Sequence, residues 1–219
     1  MKDRNATALA SFSSTILSDA MDTLGVNGGC GRITAITRNA RCIGPAFTVK
    51  FESVAVGERA PAADYIDKVP EGSVVVLDNG GITYCTVWGD ILSYCAQRRG
   101  VAGTVIHGLC RDSAASCQMN YPLFALGTYM KSGKNRVRMV AHSVPITAGA
   151  TTIQPGDWIF GDDDGVLAIP ADVVGTVLEV AGRITEMEGL VRESVSGGTP
   201  LAEARKLHGY NLSALQTVR

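Results

Sequence analysis

The sequence lacks an excess of charge of either sign. Its 219 residues include 20 basic and 21 acidic side chains, which give a formal net charge of −1 at pH 7. A surface that binds nucleic acid needs clustered positive charge, and the composition gives no global reason to expect one. We therefore expect a small metabolite as the partner, and no nucleic acid.

Long apolar runs are also missing. The first 25 residues are interrupted by charged and hydroxyl side chains, so they contain neither the apolar centre of a signal peptide nor a segment able to cross a bilayer. The six cysteines include no C-x-x-C pair, and we expect them to pack as small hydrophobic residues rather than to form bridges. A cytoplasmic location without a membrane partner is predicted.

Hydrophobic residues make up 46% of the chain, enough for a substantial core. The length is short for two full domains, so one domain over residues 1–219 is predicted. Apolar residues recur at helical spacing over residues 14–24, where Ser13 or Ser14 can cap the start and Gly25 can end the helix.

The middle of the chain has the pattern of an α/β fold. Residues 46–51 alternate like a half-buried strand, whereas 73–77 and 103–107 are continuous apolar runs typical of strands buried on both faces. Residues 87–99 read as the helix between the last two strands. This order predicts a parallel crossover.

From about residue 138 the sequence consists of short strand-like stretches separated by proline and glycine turns, which indicates an antiparallel region. The triple aspartate at residues 162–164 is interpreted as a turn in this region, not as a metal site. Two C-terminal helices are predicted, over residues 171–195 and 201–207, the second ending at Gly209.

Polar residues that could carry chemistry follow the predicted strands. Gly89 would let a ligand approach the backbone, and the open N–H groups at Asp90, Ile91 and Leu92 could hold a carboxylate. The guanidinium of Arg111 suits an oxygen that becomes an enolate.

Asp112, next to this arginine, offers a hard oxygen ligand to Mg²⁺, and Asp90 could bind the same ion through water. The alternative is structural: Arg111 and Asp112 would form a solvated ion pair at a helix start, and Asp90 would only complement a helix dipole. Spacing alone leaves both readings open.

These residues resemble the signature of the RraA-like family, which includes class II 4-hydroxy-4-methyl-2-oxoglutarate / 4-carboxy-4-hydroxy-2-oxoadipate aldolases. The similarity covers nearly the whole chain. Its segments are Leu17-Ser18-Asp19-Ala20, Cys42-Ile43-Gly44-Pro45-Ala46-Phe47-Thr48-Val49, Trp88-Gly89-Asp90-Ile91-Leu92, Gly100-Val101-Ala102-Gly103, Gly108-Leu109-Cys110-Arg111-Asp112, Pro155-Gly156-Asp157 and Gly161-Asp162-Asp163-Asp164-Gly165-Val166.

The resemblance implies a swivelling β/β/α fold and a role for each motif residue. Asp112 would bind Mg²⁺ or Mn²⁺, Arg111 would meet the pyruvyl oxygen, and Asp90 would hold a water. It also implies a homotrimer or hexamer with sites between subunits. A glutamate of the neighbouring C-terminal helix would complete each site, with Glu188 as the candidate and Glu186 as the alternative.

Two departures from the family pattern, His107 and Leu126, bear on the substrate. His107 stands where many relatives have an aspartate, and it could alter substrate choice or simply be a packed histidine. Leu126 stands where relatives often have an arginine, so a contact to the distal part of the substrate is expected to be missing. Ser132-Gly133-Lys134 lacks the upstream glycine of a P-loop and is interpreted as a basic loop.

The resemblance implies a metal-dependent lyase that cleaves 4-hydroxy-2-oxo acids to pyruvate through an enolate and also decarboxylates oxaloacetate. It extends to RraA proteins that inhibit ribonuclease E without catalysis, so a regulator that binds this enzyme is the alternative. The retained Asp90, Arg111 and Asp112 favour the lyase.

Overall fold

The computed structural model of the protein describes residues 4–61 and 63–210. They belong to two compact units. The helical unit comprises residues up to 28 together with those from 172 onward, and the sheet unit comprises 29–171. The single domain over residues 1–219 stays a prediction. No helix within the described residues is long and apolar enough to cross a membrane.

The described residues form six α-helices, one 3-10 helix (Ile66–Lys68) and ten strands. The helices are α1 (Arg4–Leu9), α2 (Ser14–Thr23), α3 (Asp90–Arg98), α4 (Ser113–Gln118), α5 (Val174–Ser196) and α6 (Leu201–Leu207). The strands are β1 (Thr34–Ala35), β2 (Cys42–Ser53), β3 (Val74–Asp78), β4 (Gly103–Cys110), β5 (Leu123–Thr128), β6 (Val137–His142), β7 (Ile146–Ala148), β8 (Thr151–Ile153), β9 (Trp158–Asp162) and β10 (Gly165–Ile169). The predicted α/β class with C-terminal helices is confirmed.

The helical unit contains α1, α2, α5 and α6, and α2 packs against α5. The predicted signals at both ends of α2 are confirmed. The Ser13 side chain accepts a hydrogen bond from the Ile16 N–H at 3.4 Å, and Gly25 has the left-handed φ of +68° that ends the helix. Gly209, with φ +69°, follows α6 in the same way.

The sheet unit is built on four parallel strands, β2, β3, β4 and β5, which pair in that order. Strand β2 also pairs antiparallel with β9 near its start and with β6 near its end. Antiparallel β10 and β1 stand at the two ends of the strand order and approach each other, so the sheet nearly closes. The parallel β3–α3–β4 crossover and the antiparallel region after residue 138 are both as predicted.

The parallel strands are buried on both faces. Val75 and Leu77 of β3 belong to one core cluster, whereas Val74 and Val76 belong to the other. Side chains alternate along a strand, so each face of β3 contributes to a different cluster. The first cluster, which also contains Trp88, is the one next to the candidate site.

Some predicted boundaries were wrong. Helix α3 begins at Asp90 rather than at residue 87, because Gly89 is extended, with φ −152° and ψ −167°. The short helix α4 was not predicted, since its sequence SAASCQ has no clear apolar periodicity. All six cysteines are free, but Cys117 is exposed and Cys95 is only half-buried, so packing as hydrophobic residues holds for the other four.

Candidate active site

The two predicted motifs meet at the ends of neighbouring elements. The segment before α3 runs beside β4, where the Val87 N–H donates to the Leu109 carbonyl at 3.3 Å and the Arg111 N–H donates to the Trp88 carbonyl at 3.0 Å. Gly89 therefore lies against the two residues that follow β4. A Cβ on Gly89 would stand 2.6 Å from Oδ2 of Asp112, so only glycine fits without movement.

Only one of the two carboxylate oxygens of Asp112, Oδ2, contacts described residues through an ion pair or a hydrogen bond. Its backbone is left-handed, with φ 55°. Oδ2 lies 3.1 Å from Nε of Arg111 and accepts a hydrogen bond from the Asp90 N–H at 3.4 Å. Oδ1 accepts no hydrogen bond from residues 4–61 or 63–210, so it remains available to a ligand.

The N-terminus of α3 has one open donor. The Asp90 N–H is directed at Asp112, and the Ile91 N–H donates to Asp90 Oδ1 at 2.8 Å. The N–H of Leu92 makes no hydrogen bond within the described part of the chain, because the first intrahelical bond is Ser93 N–H to Gly89 carbonyl at 3.1 Å. An open N–H at a helix start is suited to an anion.

A buried hydroxyl network fixes α3 relative to α4. Trp88 Nε1 donates to Ser93 Oγ at 2.8 Å, and Ser93 Oγ lies 2.9 Å from Ser116 Oγ and 3.3 Å from the Gly89 carbonyl. Both serines are fully buried. The indole also stacks on Tyr121, with ring centroids 6.2 Å apart. The helix starts that carry Asp90 and Asp112 are thus held by interactions in the core.

A cavity of about 410 Å³ opens in front of α3. The five residues predicted to bind the substrate, Gly89, Asp90, Ile91, Leu92 and Arg111, all line it. Asp112 does not, and it contacts Gly89 and Arg111 beside the cavity. The volume lies within the usual range for small-molecule sites and exceeds what a three-carbon acid fills.

Other parts of the chain complete the cavity, and the sequence did not single them out as site residues. Phe51 and Tyr65 contribute aromatic surface to the lining, and Lys134 contributes a basic side chain from the segment before β6. Burial raises the pKa of the Tyr65 hydroxyl, which makes no hydrogen bond with a described residue. Of these residues, only Lys134 lay in a motif that the sequence had identified, the loop interpreted as basic.

The chemistry of the oxygen donors fits Mg²⁺ or Mn²⁺. The described residues include no group of three or more His, Cys, Asp or Glu side chains placed to hold a metal ion together. Mg²⁺ does not need such a group, because it commonly binds one or two carboxylates and completes its shell with water and substrate oxygens. Asp112 Oδ1 and the nearby Asp90 carboxylate are consistent with that mode.

The structural alternative for Arg111 and Asp112 is partly realised, since the two side chains do pair. They are 40% and 37% exposed, so this pair adds little to the stability of the fold. The closest approach of the ion pair is through Nε of the guanidinium. The Arg111 side chain makes no ion pair with any other described residue, and Arg111 lines the cavity.

His107 and Leu126 lie outside the cavity lining. His107 Nδ1 is 3.1 Å from the Thr147 carbonyl and 3.5 Å from Asp78 Oδ1, which supports the packed-histidine reading. Leu126 packs against the second core cluster, which contains Phe124. Neither side chain is placed to contact a ligand bound in the cavity.

The glutamates proposed from the resemblance lie on α5 of the helical unit. Arg192 Nη1 donates to Glu188 Oε2 at 3.0 Å, and Glu186 is exposed. Burial raises the pKa of Asp19 on α2, and the negative charge of Glu188 raises it further. A role for Glu188 or Glu186 in a neighbouring subunit stays a prediction, as does the trimer or hexamer.

Known proteins are similar to this chain over most of its length. The RraA-like family, described as Aldolase/RraA, matches residues 14–168. A protein of Halalkalibacterium halodurans named "Putative 4-hydroxy-4-methyl-2-oxoglutarate aldolase" is 34% identical over 175 residues, which cover 80% of each chain.

Two further proteins are similar over most of this chain. Protein DlpA of Legionella pneumophila is 41% identical over 204 residues, which cover 92% of this chain and 33% of that protein. The chain thus spans about a third of the length of DlpA. A solved structure of a Pseudomonas syringae protein superposes with a TM-score of 0.85 at 38% identity, covering 92% of this chain and 96% of that one.

Proposed function

Since this chain belongs to the RraA-like family, we propose that it is a lyase that cleaves 4-hydroxy-2-oxo acids to pyruvate and a second carbonyl compound. One observation carries the proposal. Leu92 and Arg111 line one cavity, and Asp112, whose Oδ1 accepts no hydrogen bond from a described residue, contacts Arg111 of this lining. An anion donor, a permanent cation and a hard oxygen ligand are what a 2-oxo acid requires.

The chain's own groups would orient the substrate. The Leu92 N–H and the positive end of α3 would hold the C1 carboxylate, and Gly89 would let it approach the backbone. Nitrogens of Arg111 that are not paired with Asp112 would donate to the C2 oxygen. This contact strengthens as that oxygen becomes an enolate, so it stabilises the transition state more than the bound substrate.

Asp112 would hold the divalent cation directly, and Asp90 would hold it through water. When bound, Mg²⁺ or Mn²⁺ would supply Lewis-acid polarisation of the keto oxygen. Asp112 is already fixed by Oδ2, so its other oxygen would need little reordering to bind the cation.

The bonding changes follow from an enolate leaving group. A base accepts the proton of the C4 hydroxyl, the C4–O bond becomes a carbonyl, and the C3–C4 bond breaks. Its electron pair enters the C2 carbonyl as the enolate of pyruvate, which is then protonated at C3. Asp90 is the candidate base, acting through a water, and Glu188 from a neighbouring copy of the chain is the alternative. Oxaloacetate would give the same enolate by releasing carbon dioxide.

The test is a panel of 4-hydroxy-2-oxo acids and oxaloacetate, with pyruvate release measured with and without added Mg²⁺. EDTA should stop turnover, and excess Mg²⁺ or Mn²⁺ should restore it. Arg111→Ala should lower kcat/KM by about 10²–10³-fold, the usual effect of removing one electrostatic donor. Arg138→Ala is the matched control, because Arg138 pairs with Glu58 and does not line the cavity.

Three results would contradict the proposal. They are turnover that is unchanged by EDTA, a near-normal rate for Arg111→Ala, and no pyruvate release from any member of the panel. The last result would favour the alternative, a regulator that binds ribonuclease E, and a pull-down with that enzyme would test it.

A further inference from the structure

Cleavage of a 4-hydroxy-2-oxo acid needs a group that accepts the proton of the C4 hydroxyl, and the cavity lining narrows the choice. No histidine is among the described residues that line it. Burial raises the pKa of the Tyr65 hydroxyl, so this group keeps its proton. Carboxylates are therefore the acceptors to compare, and three of them belong to the lining, those of Asp64, Asp67 and Asp90.

Two of the three carboxylates already have partners. Asp67 Oδ1 lies 3.4 Å from Arg99 Nη1, and the Asp67 carbonyl accepts a hydrogen bond from Arg99 Nη2 at 2.7 Å. Asp90 Oδ1 accepts from the Ile91 N–H at 2.8 Å, and this side chain would also hold the cation through water. A proton from the substrate would compete with these partners.

The carboxylate of Asp64 has no such competition. It makes no hydrogen bond or ion pair with residues 4–61 or 63–210, and the residue is exposed. Asp64 lines the cavity from the segment between β2 and β3, whereas Asp90 starts α3 and Arg111 follows β4. The cavity thus receives a free carboxylate from a segment other than the two proposed to bind C1 and C2.

The backbone on both sides of Asp64 is anchored. The Ala60 N–H donates to Asn135 Oδ1 at 2.9 Å, and the Asn135 N–H donates back to the Ala60 carbonyl at 3.0 Å. Directly after Asp64, the side chain of Tyr65 is 1% exposed, and its ring meets that of Phe51 edge-on with centroids 6.4 Å apart. A buried ring as its neighbour keeps Asp64 at the cavity and leaves its side chain to adjust.

We propose that Asp64 is the base that accepts the proton of the C4 hydroxyl, a role open to Asp90 and Glu188 as well. The inference rests on the proposed function. With C1 and C2 held by α3 and Arg111, C3 and C4 extend toward the rest of the lining, to which Asp64 belongs.

The step balances in protons and electrons. As the Asp64 carboxylate takes the hydroxyl proton, the C4–O bond becomes a carbonyl and the C3–C4 bond breaks. The electron pair of that bond enters the C2 carbonyl and forms the enolate of pyruvate. The enolate later takes up one proton at C3 and Asp64 loses one, so the cycle consumes no proton.

Oxaloacetate separates this role from that of the groups that stabilise the enolate. Its C4 is a carboxylate, which leaves as carbon dioxide without first giving up a proton. Decarboxylation therefore needs the stabilisation of the enolate but no base at C4. Loss of the base should remove cleavage and spare decarboxylation, whereas damage to Arg111 or Asp112 should lower both activities together.

The experiment measures both activities in the same preparations of wild type and Asp64→Asn, with saturating Mg²⁺. The probes are 4-hydroxy-4-methyl-2-oxoglutarate, 4-hydroxy-2-oxoglutarate and oxaloacetate, and pyruvate release is followed for each. In Asp64→Asn, kcat for cleavage should fall by about 10²–10⁴-fold, the usual contribution of a general base. Decarboxylation should stay within a few-fold of wild type, which also shows that the variant is folded.

Glu58→Gln is the matched control, because Glu58 is an acidic residue of the same segment that does not line the cavity. Both of its activities should stay close to those of wild type. Near-normal cleavage by Asp64→Asn, or an equal loss of cleavage and decarboxylation, would overturn the role of Asp64 while the lyase stands. If wild type releases no pyruvate from any of the three probes, the proposed function is wrong and the base falls with it.

Discussion

Two polar clusters lie at the ends of β3 and β4, and they differ in how many of their groups are already engaged. The closed cluster consists of Asp78, Gly80, His107 and Thr147. Asp78 Oδ1 accepts from the Gly80 N–H at 2.9 Å, its Oδ2 accepts from the Thr147 N–H at 3.2 Å, and His107 Nδ1 meets the Thr147 carbonyl. Both carboxylate oxygens are therefore used within the protein.

The open cluster consists of Gly89, Asp90, Leu92, Arg111 and Asp112. It leaves a carboxylate oxygen, a backbone N–H and part of a guanidinium unengaged by described residues, next to a cavity. Both clusters contain the residue types that sequence reasoning treats as catalytic. Unused hydrogen-bonding capacity beside a cavity, rather than residue type, therefore separates a candidate site from a structural cluster.

The same substitution should have opposite consequences in the two clusters. Asp112→Asn should lower kcat/KM for pyruvate release by about 10²–10³-fold, because it removes the charge that would hold the cation. The free energy of unfolding of this variant should change little, since Asp112 is partly exposed. Binding of Mn²⁺, followed by its paramagnetic effect on water relaxation, should weaken in parallel.

Asp78→Asn is the counterpart in the closed cluster. It should keep most of the activity but lower the free energy of unfolding by about 1–3 kcal/mol, because an amide NH₂ cannot accept from the N–H that an oxygen of Asp78 now serves. Chemical denaturation would measure this change. If Asp78→Asn lost as much activity as Asp112→Asn while staying folded, the division into open and closed clusters would be wrong.

A second prediction uses space instead of charge. Gly89→Ala places a methyl group 2.6 Å from Asp112 Oδ2, and the φ of −152° is allowed for alanine, so crowding is the main effect. Displacing Asp112 by this contact should reduce kcat/KM by about 10²-fold, as expected for an ångström-scale misplacement at a site.

The control for this substitution is Gly29→Ala, because a Cβ on Gly29 would meet nothing within 4 Å. Steady-state kinetics and thermal unfolding of the two variants would separate crowding of the site from a general effect of adding a methyl group. Wild-type kinetics for Gly89→Ala would mean that Asp112 moves without consequence, so its position would not matter.

Sequence reasoning located the open cluster because its residues are close to strand ends along the chain. Gly89 to Leu92 precede or start a helix and Arg111 follows a strand, positions that an α/β pattern identifies directly. Their partners in the cavity could not be found in the same way. Phe51 and Lys134 are brought to the cavity by the antiparallel pairing of β2 with β6 and by contacts of the 131–136 turn. These contacts join residues far apart in the chain, so they leave no local pattern in the sequence.

The sequence also could not predict which polar atoms are hydrogen-bonded within the protein. The sequence placed an acidic residue beside Arg111 but could not tell that one oxygen of Asp112 is tethered and the other is not, because that depends on the extended backbone at Gly89 and the left-handed one at Asp112. For the same reason His107 remained ambiguous. Its ring is directed toward Thr147, a contact across 40 residues of sequence.

The smallest expected effect concerns His107 in the closed cluster. His107→Asn can keep a donor near the Thr147 carbonyl, so stability should stay close to wild type. His107→Leu removes that donor and should cost about 1 kcal/mol in the free energy of unfolding, the usual net value of one hydrogen bond. Neither change reaches the cavity lining, so kcat/KM should stay within a few-fold of wild type for every substrate in the panel.

A change in the ratio of kcat/KM values between two substrates would be informative even if it were small, because a purely structural histidine has no means of distinguishing them. That result would mean that His107, although outside the cavity lining, affects substrate binding in the cavity.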